Sequence, residues 1–417
     1  MEAYLTNGLL GCPTIRANRG DYMTINFLNN TDAQSILHWH GLIVPPEMDG
    51  HPHLAIPPGE NYPYAYLIDQ RAGTYFYHAH THGLTGKQVY MGIAGFYLVS
   101  DAEEKALSLP SGAFEIPLLI QDKRTSGDSI QYNPSPMEYN MMGFLGDTIF
   151  INHLPNAAKT VKKTSYRLRV LNGSNARIYN LAFENHMPFT IIGTDGGLLE
   201  EPVTLTEVLI SPAERLDIIV DFSKLSISQV ALLSTTPNAT LTSGMGMGMG
   251  MQSGGPDQGA PFTLLTFNIE NDKATPTYNI PSVLSSIDYP DESSATLSRE
   301  ISLDMLMQAG HAINNRQFDM ESVEYEIPRG SVEIWEFTNN SSMAHPMHIH
   351  GVQFRILSRT GRGVQEWEKG LKDTVLVLPG EVVRILIHFT VLPGLYLFHC
   401  HNLEHEDRGM MLNFRIT

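Results

Sequence analysis

Histidines of this chain gather in four short clusters, written HWH, HAH, HPMHIH and HCHNLEH. Residues i and i+2 of a strand project from the same face, so each H-x-H pair delivers two imidazoles to one side of a sheet. Neutral imidazole is a common metal ligand. The clusters therefore predict metal binding by the following residues: His38, His40, His78, His80, His345, His348, His350, His399, His401 and His405.

The fourth cluster also carries a cysteine, Cys400, between two histidines. Strand alternation turns its sulfur away from the imidazoles on either side, so one tripeptide can join two metal sites. His405 and Met410 follow close behind in the sequence, and His345 can supply a second imidazole. Two histidines, one cysteine and a weak axial methionine form the blue-copper electron-transfer set, whereas zinc rarely takes a thioether. The sulfur ligands therefore indicate copper.

An internal repeat indicates which elements position these ligands. Two turn–strand elements each occur three times, and a third element, which carries an H-x-H pair, occurs twice. They span residues 19–30, 163–174 and 329–340; 57–68, 211–222 and 378–389; and 72–80 and 393–401. Period-2 alternation, with Val383, Ile385 and Ile387 on one face and Arg384 and His388 on the other, is typical of strands.

Repeated strands with Pro-Gly and Asn-Gly turns, and almost no helical periodicity, predict antiparallel β-sandwiches. We expect an all-β chain of three related sandwich domains at residues 1–104, 105–258 and 259–417. The first boundary falls in a polar stretch that begins at Asp101. The second falls at the end of a Gly/Met/Ser-rich segment, residues 242–259, whose composition cannot form a core.

The four motifs, in this order and spacing, resemble those of the multicopper oxidases, the family of laccases, copper-efflux oxidases and spore-coat laccases. The resemblance covers nearly the whole chain, and LHWHGLIVPPEMDG from Leu37, IIGTDGGLLEEP from Ile191 and HCHNLEHEDRGMM from His399 carry it most closely. It implies three consecutive cupredoxin-like Greek-key β-sandwich domains. It also implies that copper is the cofactor, with four ions per chain.

The resemblance further implies a role for each ligand. Type 1 copper would be held by His345, Cys400, His405 and axial Met410, and type 2 copper by His38 and His348. The type 3 pair would be held by His40, His78, His80, His350, His399 and His401. The resulting trinuclear cluster would lie between the first and third domains, with the middle domain as a spacer.

The activity implied by the resemblance is that of a laccase. Phenols or aromatic amines would each lose one electron, and four electrons would reduce dioxygen to water, with Cys400 as the conduit between the two metal sites. Because the reduction of dioxygen consumes protons, acidic groups should serve as relays near the cluster. Asp49 and Glu406 match carboxylates that the family places there.

Methionines leave a second function open. Four of them, Met245, Met247, Met249 and Met251, alternate with glycine and offer soft thioethers suited to Cu(I), although the segment also reads as a low-complexity linker. Met343 matches a methionine that helps to hold substrate copper in copper-efflux oxidases, but Ser341 stands where those proteins have an aspartate. A cuprous oxidase in copper detoxification is therefore the alternative. A non-enzymatic blue-copper carrier or copper-storage protein is disfavoured by the type 3 histidines.

No functional role is expected for several other histidines or for the second cysteine. Cys12 reads as a buried free thiol, and no metal is expected at His51, His53, His82, His153, His186 or His311. Of these, His51, His53 and His311 are expected on exposed loops.

Charge and hydropathy limit the partners and the location. The 27 Lys and Arg residues against 44 Asp and Glu residues give a net charge of −17, which disfavours nucleic acid and anionic membrane surfaces. No run approaches the roughly 18 apolar residues of a membrane span, and the start of the chain carries no visible export signal. The family nevertheless implies a location outside the cytoplasm, in the periplasm or secreted. We expect a monomer that uses dioxygen and a phenolic, aromatic-amine or Cu(I) donor.

Overall fold

Strands supply most of the regular structure and form three two-sheet sandwiches along the chain. The computed structural model describes residues 4–127, 129–243, 256–270, 276–307 and 309–417. The predicted all-β class is confirmed.

The first sandwich surrounds a buried tryptophan. Its strands are β1 (Leu5–Thr6), β2 (Leu9–Leu10), β3 (Ile15–Asn18), β4 (Tyr22–Leu28), β5 (Leu37–His38), β6 (Asn61–Leu67), β7 (Gly73–Ala79) and β8 (Ala94–Ser100). One sheet has the order β3-β8-β7-β5, and β4 pairs with β6 in the other. The Trp39 ring lies 4.9–5.9 Å, between centroids, from the rings of Tyr64, Tyr66, Tyr77 and Tyr97. These aromatic side chains fill the space between the sheets.

The middle sandwich is the largest. Its strands are β9 (Glu115–Ser126), β10 (Ser129–Gln131), β11 (Thr148–Ile151), β12 (Leu154–Pro155), β13 (Ala158–Lys162), β14 (Ser165–Asn172), β15 (Tyr179–Phe183), β16 (Phe189–Thr194), β17 (Gly197–Leu205), β18 (Glu207–Ile210), β19 (Arg215–Asp221), β20 (Gln229–Ser234) and β21 (Phe262–Glu270). One sheet has the order β12-β11-β9-β14-β19-β16-β17, with β10 paired to β9, and the other has the order β13-β21-β20-β15-β18. Side chains from both sheets, among them Leu168 and Leu181, share one buried apolar cluster.

The third sandwich carries most of the predicted ligands. Its strands are β22 (Leu297–Leu306), β23 (Gly310–Ile313), β24 (Val323–Ile327), β25 (Val332–Asn339), β26 (His345–Ile349), β27 (Phe354–Arg359), β28 (Thr374–Val377), β29 (Val382–His388), β30 (Gly394–Cys400) and β31 (Met411–Ile416). The two sheets have the orders β23-β22-β25-β29-β27 and β24-β31-β30-β26-β28. Trp335 of the first sheet and Phe398 of the second meet in the core, with ring centroids 4.9 Å apart.

Helices are short. The α-helices are α1 (Thr85–Tyr90), α2 (Ala102–Ala106) and α3 (Leu403–Asp407), and Glu138–Met142 forms one turn of π-helix. The 3₁₀ turns are Pro46–Met48, Pro52–Leu54, Gly112–Phe114, Glu184–His186, Phe222–Lys224, Glu292–Ser294 and Glu366–Lys369. Within the described residues, no helix has the length and apolar character needed to cross a membrane.

The internal repeat corresponds to a repeated strand pair. The first two repeated elements pair antiparallel with each other in every sandwich, as β4 with β6, β14 with β19, and β25 with β29. Val383, Ile385 and Ile387 are fully buried in the third core, whereas Arg384 and His388 are only partly buried. The alternation read from the sequence therefore describes the strand correctly.

Strand β21 departs from the division expected from the sequence. The predicted boundary after residue 258 assigns it to the third domain, but it lies between β13 and β20 in a sheet of the middle sandwich. Leu264, Leu265 and Phe267 of β21 belong to the middle core. The chain thus returns to the second sandwich after the Gly/Met/Ser-rich segment, and a boundary at 258 cuts one of its sheets.

Candidate metal centres

Two H-x-H pairs of the first sandwich face two of the third. His38 of β5 is paired in register with His78 of β7, and His348 of β26 with His399 of β30. Because alternate residues share a face, the second member of each pair points to the same side. The structure thereby brings together eight buried imidazoles, called here the eight-histidine cluster: His38, His40, His78, His80, His348, His350, His399 and His401.

Ring nitrogens in the eight-histidine cluster fall into three groups. The first group is His38 and His348, whose Nε2 atoms are 3.4 Å apart. The second is His78 with His40 and His401, since His40 Nδ1 and His401 Nε2 each lie 3.4 Å from His78 Nε2. The third is His399 with His80 and His350, at 3.4 and 3.2 Å between Nε2 atoms. By these distances the eight imidazoles divide into groups of two, three and three.

In His38 and His348 the Nε2 atoms face each other, and the hydrogen bonds of the Nδ1 atoms show where each ring carries its hydrogen. His38 Nδ1 donates to the Asp49 carbonyl at 2.6 Å, and His348 Nδ1 donates to the Asp373 carbonyl at 2.8 Å. A carbonyl only accepts, so each neutral ring carries its hydrogen on Nδ1 and turns a lone pair inward. Two lone pairs 3.4 Å apart repel unless they share a cation. Metal–imidazole bonds of about 2.0–2.1 Å give this spacing, so the donor set fits a shared metal ion.

Burial favours the neutral, ligating form of the imidazoles. It lowers the pKa of His78 to about 4 and holds the pKa of His38, His80 and His348 well below the ordinary value. Metal ligation requires the neutral imidazole. The cluster is therefore prepared to bind metal at neutral pH without first releasing protons from these rings.

Both predicted relay carboxylates lie against the eight-histidine cluster. Asp49 Oδ2 accepts from His350 Nδ1 at 2.7 Å, whereas Asp49 Oδ1 is buried and has no hydrogen-bond partner in the part of the chain that the structure describes. Burial raises the pKa of Asp49 well above its usual range. Glu406 Oε1 lies 3.6 Å from His80 Nε2, and its Oε2 lies 3.1 Å from His399 Nδ1. Both carboxylates therefore lie within reach of the imidazoles of the cluster.

Cys400 lies on the opposite side of the tripeptide from the cluster. Its Sγ is 3.4 Å from His345 Nδ1 and 3.7 Å from His405 Nδ1. Met410 is fully buried in the same core, and the Cys400 amide donates to the Met410 carbonyl at 3.0 Å. Burial raises the pKa of the thiol, so a cation is needed to favour the thiolate. These four residues, named here the Cys400 site, supply the nitrogen and sulfur donors that suit copper.

The outer nitrogens of the Cys400 site bond to neutral oxygens. His345 Nε2 and Ser341 Oγ share a hydrogen bond of 2.7 Å, and His405 Nε2 donates to the Met141 carbonyl at 3.0 Å. Ser341 thus contacts His345 without supplying a charge. Both imidazoles turn Nδ1 towards the sulfur, as ligands of a common metal would.

His311 and His51 do not lie where the sequence predicts them. Both are expected on exposed loops, but His311 lies in β23, and both side chains are only about 1% exposed or less. His311 Nε2 donates to the same Met141 carbonyl as His405, and its ring centroid is 4.1 Å from that of His405. His51 bonds to Asn413 and to exposed His53. The alternating pattern of Gly310–Ile313 favours a strand, but it does not indicate the contact of His311 with Met141.

A buried arginine ties the middle sandwich to the eight-histidine cluster, a contact that the sequence did not predict. Arg215 of β19 forms an ion pair with Asp373, and its Nε donates to the Thr74 carbonyl of β7 at 2.9 Å. His40 Nε2 lies 3.0 Å from Asp373 Oδ1. Side chains from all three sandwiches therefore meet behind His40.

Of the methionines that the sequence suggests as ligands of substrate copper, the structure describes only Met343. Met245, Met247, Met249 and Met251 lie outside the described residues. Met343 is buried, and its backbone pairs with that of Thr242 at the start of the Gly-Met segment.

Comparison with known proteins identifies the family. Models described as multicopper oxidase match residues 1–104, 120–247 and 293–417. The multicopper oxidase mco of Staphylococcus haemolyticus is 32% identical over 416 residues, which are 99% of this chain and 83% of that protein. The laccase of Bacillus subtilis is 31% identical over 476 residues, covering 99% of this chain and 89% of the relative.

Solved structures agree in fold. The McoA multicopper oxidase of the hyperthermophile Aquifex aeolicus superposes with a TM-score of 0.89 at 37% identity, covering 100% of this chain and 91% of that one. A multicopper oxidase from Campylobacter jejuni, described as a metallo-oxidase, gives a TM-score of 0.84 at 29% identity, covering 99% and 87%. The chain belongs to the multicopper oxidase family. It is a copper-binding oxidoreductase with the cupredoxin-type fold expected from its motifs.

Proposed function

We propose that the protein is an oxidase of laccase type, which takes single electrons from phenols or aromatic amines and reduces dioxygen to water. The observation that carries this proposal is the tripeptide His399–Cys400–His401, which joins the Cys400 site covalently to the eight-histidine cluster. An electron carrier or a storage protein would need one of these sites but not the covalent link between them.

The ligands proposed from the sequence account for four copper ions. His345, Cys400, His405 and Met410 would hold one ion of type 1, and His38 with His348 would hold one of type 2. His40, His78 and His401 would hold one ion of the type 3 pair, and His80, His350 and His399 the other. When bound, copper would supply one-electron redox chemistry at the donor side and multi-electron chemistry towards dioxygen.

The chain's own residues keep the two half-reactions apart. His345 and His405 face the donor side, and Cys400 turns its sulfur to them while its backbone continues into two histidines of the cluster. A donor and dioxygen therefore need never meet. Packing of the third core around Cys400 excludes water from this path.

Protons would reach dioxygen through the two carboxylates. Asp49 holds a proton readily because burial raises its pKa, and its Oδ1, which has no partner among the described residues, can accept another hydrogen bond. Glu406 touches the other half of the cluster through His80 and His399. General acids positioned in this way speed proton transfer by typically 10²–10⁴-fold.

Cuprous oxidation is a second candidate, favoured by the closed donor face of the Cys400 site. His405 is only 1% exposed, because the π-helical segment Glu138–Met142 covers its Nε2. An aromatic ring would have to displace this segment, whereas a single ion needs far less room. The relatives include both laccases and a metallo-oxidase.

Oxygen uptake with two donors separates the candidates. Met245, Met247, Met249 and Met251 would be replaced by serine together, and parent and variant compared at matched copper content with a phenol and with Cu(I). A laccase with a passive linker keeps both rates or changes them in parallel. A sharp loss confined to Cu(I) would favour the cuprous oxidase and a copper-gathering role for the segment.

Three further assignments belong to this proposal. The domains would be those expected from the sequence, except that β21 moves the second boundary beyond residue 270. The protein would work as a monomer outside the cytoplasm. Size-exclusion chromatography and fractionation of the source cells would test these two points.

A further inference from the structure

Among the described residues, the first sandwich has no counterpart of one strand that both of the other sandwiches contain. In the middle sandwich β14 lies between β19 and β9, and in the third sandwich β25 lies between β29 and β22. The equivalent strand of the first sandwich, β4, pairs with β6 and with no other described strand. Both β9 and β22 run parallel to their partners. The internal repeat therefore leaves one edge of β4 open at the place where a parallel strand would fit.

Burial of the side chains reflects this difference. All but the first residue of β14 are buried, whereas no residue of β4 is. Met23, Ile25 and Phe27 pack against the first core but are only partly buried. At the ends of the strand, Tyr22 is 67% exposed and Leu28 is 51% exposed. Strand β4 thus presents apolar side chains that the described chain covers only in part.

A cavity of about 950 Å³ lies beside this edge. Four consecutive residues of β4, Ile25–Leu28, line it. Because the side chains of a strand alternate between its two faces, a cavity that touches four in succession runs along the edge itself. Trp39, Tyr77 and Ile93 also line it, and the buried Trp39 Nε1 has no hydrogen-bond partner among the described residues. The cavity therefore offers aromatic and aliphatic contacts to a segment that lies along β4.

Strand β4 also lacks the features that protect natural edge strands from pairing. Such strands usually carry a lysine, a proline or a bulge. The sequence of β4 is YMTINFL, without a charge or a proline, and its register with β6 continues without a shift from Tyr22 to Leu28. An uncharged and regular edge of this kind suits pairing with a further strand.

We propose that the open edge of β4 binds an extended segment of another protein, which joins the sheet as a strand parallel to β4 and turns apolar side chains into the cavity. Main-chain hydrogen bonds supply the affinity, and the cavity selects apolar side chains at alternate positions. In the middle sandwich, Ile116, Leu118 and Ile120 of β9 fill the core in this way. A second copy of the chain is a poorer partner, because two molecules with a net charge of −17 repel each other. The partner is therefore neutral or basic.

A peptide copy of the strand at the same position in the third sandwich is a suitable probe. It has the sequence of Leu297–Leu303, LSREISL, followed by two lysines and a fluorescent label. The control peptide carries Ile301→Ser and Leu303→Ser, which replace the two side chains that are buried in the third core. Fluorescence anisotropy with the copper-loaded protein measures the binding. In the protein, Ile25→Glu places a charge at the cavity, and Thr24→Glu, at an exposed position of the same strand, is the matched control.

We expect saturable binding of one peptide per chain. Both Ile25→Glu and the control peptide should weaken it by about tenfold or more, because one buries a charge and the other removes apolar contacts. Thr24→Glu should leave the affinity unchanged. Hydrogen exchange gives a second readout on the parent protein. Backbone amides of β4 that do not pair with β6 should exchange rapidly in the free protein and become protected when the peptide binds. If Ile25→Glu does not fold, this exchange measurement decides the question.

Three outcomes would overturn the proposal. Slow exchange of every β4 amide in the free protein would show that the edge is already covered. Equal binding of the two peptides, or binding that Ile25→Glu does not change, would show that the cavity does not hold the peptide. Protection of β4 that grows with protein concentration, together with a doubled mass in light scattering, would make a second copy of the chain the occupant.

Discussion

The eight-histidine cluster and the Cys400 site are joined by one tripeptide, yet they are built in opposite ways. The cluster draws imidazoles from two sandwiches and has three buried carboxylates, Asp49, Glu406 and Asp373, in contact with its rings. The Cys400 site draws its ligands from one sandwich, and its outer nitrogens bond to the neutral oxygens of Ser341 and Met141. The carboxylates in contact with imidazole rings thus lie on the side where dioxygen would be reduced.

Replacing Cys400 by serine should have the largest effect, because it removes the element shared by both regions. We expect no blue absorption and donor-driven oxygen uptake at background level. The eight-histidine cluster should still react with dioxygen once it has been reduced chemically. Residual turnover with a donor would show that electrons reach the cluster by another route.

Arg215→Met should come next and should act on the cluster alone. It leaves Asp373 buried without its partner, and breaking a buried ion pair in this way typically costs about 3–5 kcal/mol. Denaturant unfolding would measure the loss. Arg384→Met, which breaks a half-exposed pair with Glu292, is the control and should cost less than about 1 kcal/mol.

Arg215→Met should also lose copper from the eight-histidine cluster, while the blue absorption of the Cys400 site remains. Loss of blue absorption in parallel would mean that the two regions are not structurally separate.

Asp49→Asn should slow the reoxidation of reduced enzyme by about 10²-fold or more, and leave reduction by the donor unchanged. The raised pKa of Asp49 gives the sign of the pH dependence. A proton donor works below its pKa, so reoxidation in the parent should fall as pH rises through that value. In Asp49→Asn the reoxidation rate should not show this fall with rising pH. Stopped-flow traces of each half-reaction against pH would test it, and equal slowing of both would indicate a structural role.

Met410→Leu should have the smallest effect and should change the Cys400 site alone. A weak axial donor that stabilises Cu(II) is removed, so the reduction potential of the type 1 ion should rise. A redox titration that follows the blue absorption measures the shift. An unchanged or lower potential would mean that Met410 is not axial.

Local patterns made much of the site predictable from sequence. An H-x-H pair in a strand fixes the face of two imidazoles, and the alternation at Cys400 fixes its opposite direction. These relations need no knowledge of distant residues. The all-β class followed in the same way from the repeated strands, which the structure pairs within each sandwich.

Features that depend on contacts between distant segments could not be read in this way. Nothing near Arg215 in the sequence points to Asp373, because their pairing arises only when the middle and third sandwiches meet. His311 looked like a loop residue because its neighbour, the Met141 carbonyl, is 170 residues away. Strand β21 was misassigned since its partners lie on the far side of a segment that looks like a linker.

Copper content tests the central claim most directly. After reconstitution under anaerobic conditions, the parent should bind four copper ions per chain and Cys400→Ser should bind three, with only the blue ion missing. One copper or a bound zinc in the parent, or four copper ions retained by the variant, would contradict two sites joined through Cys400.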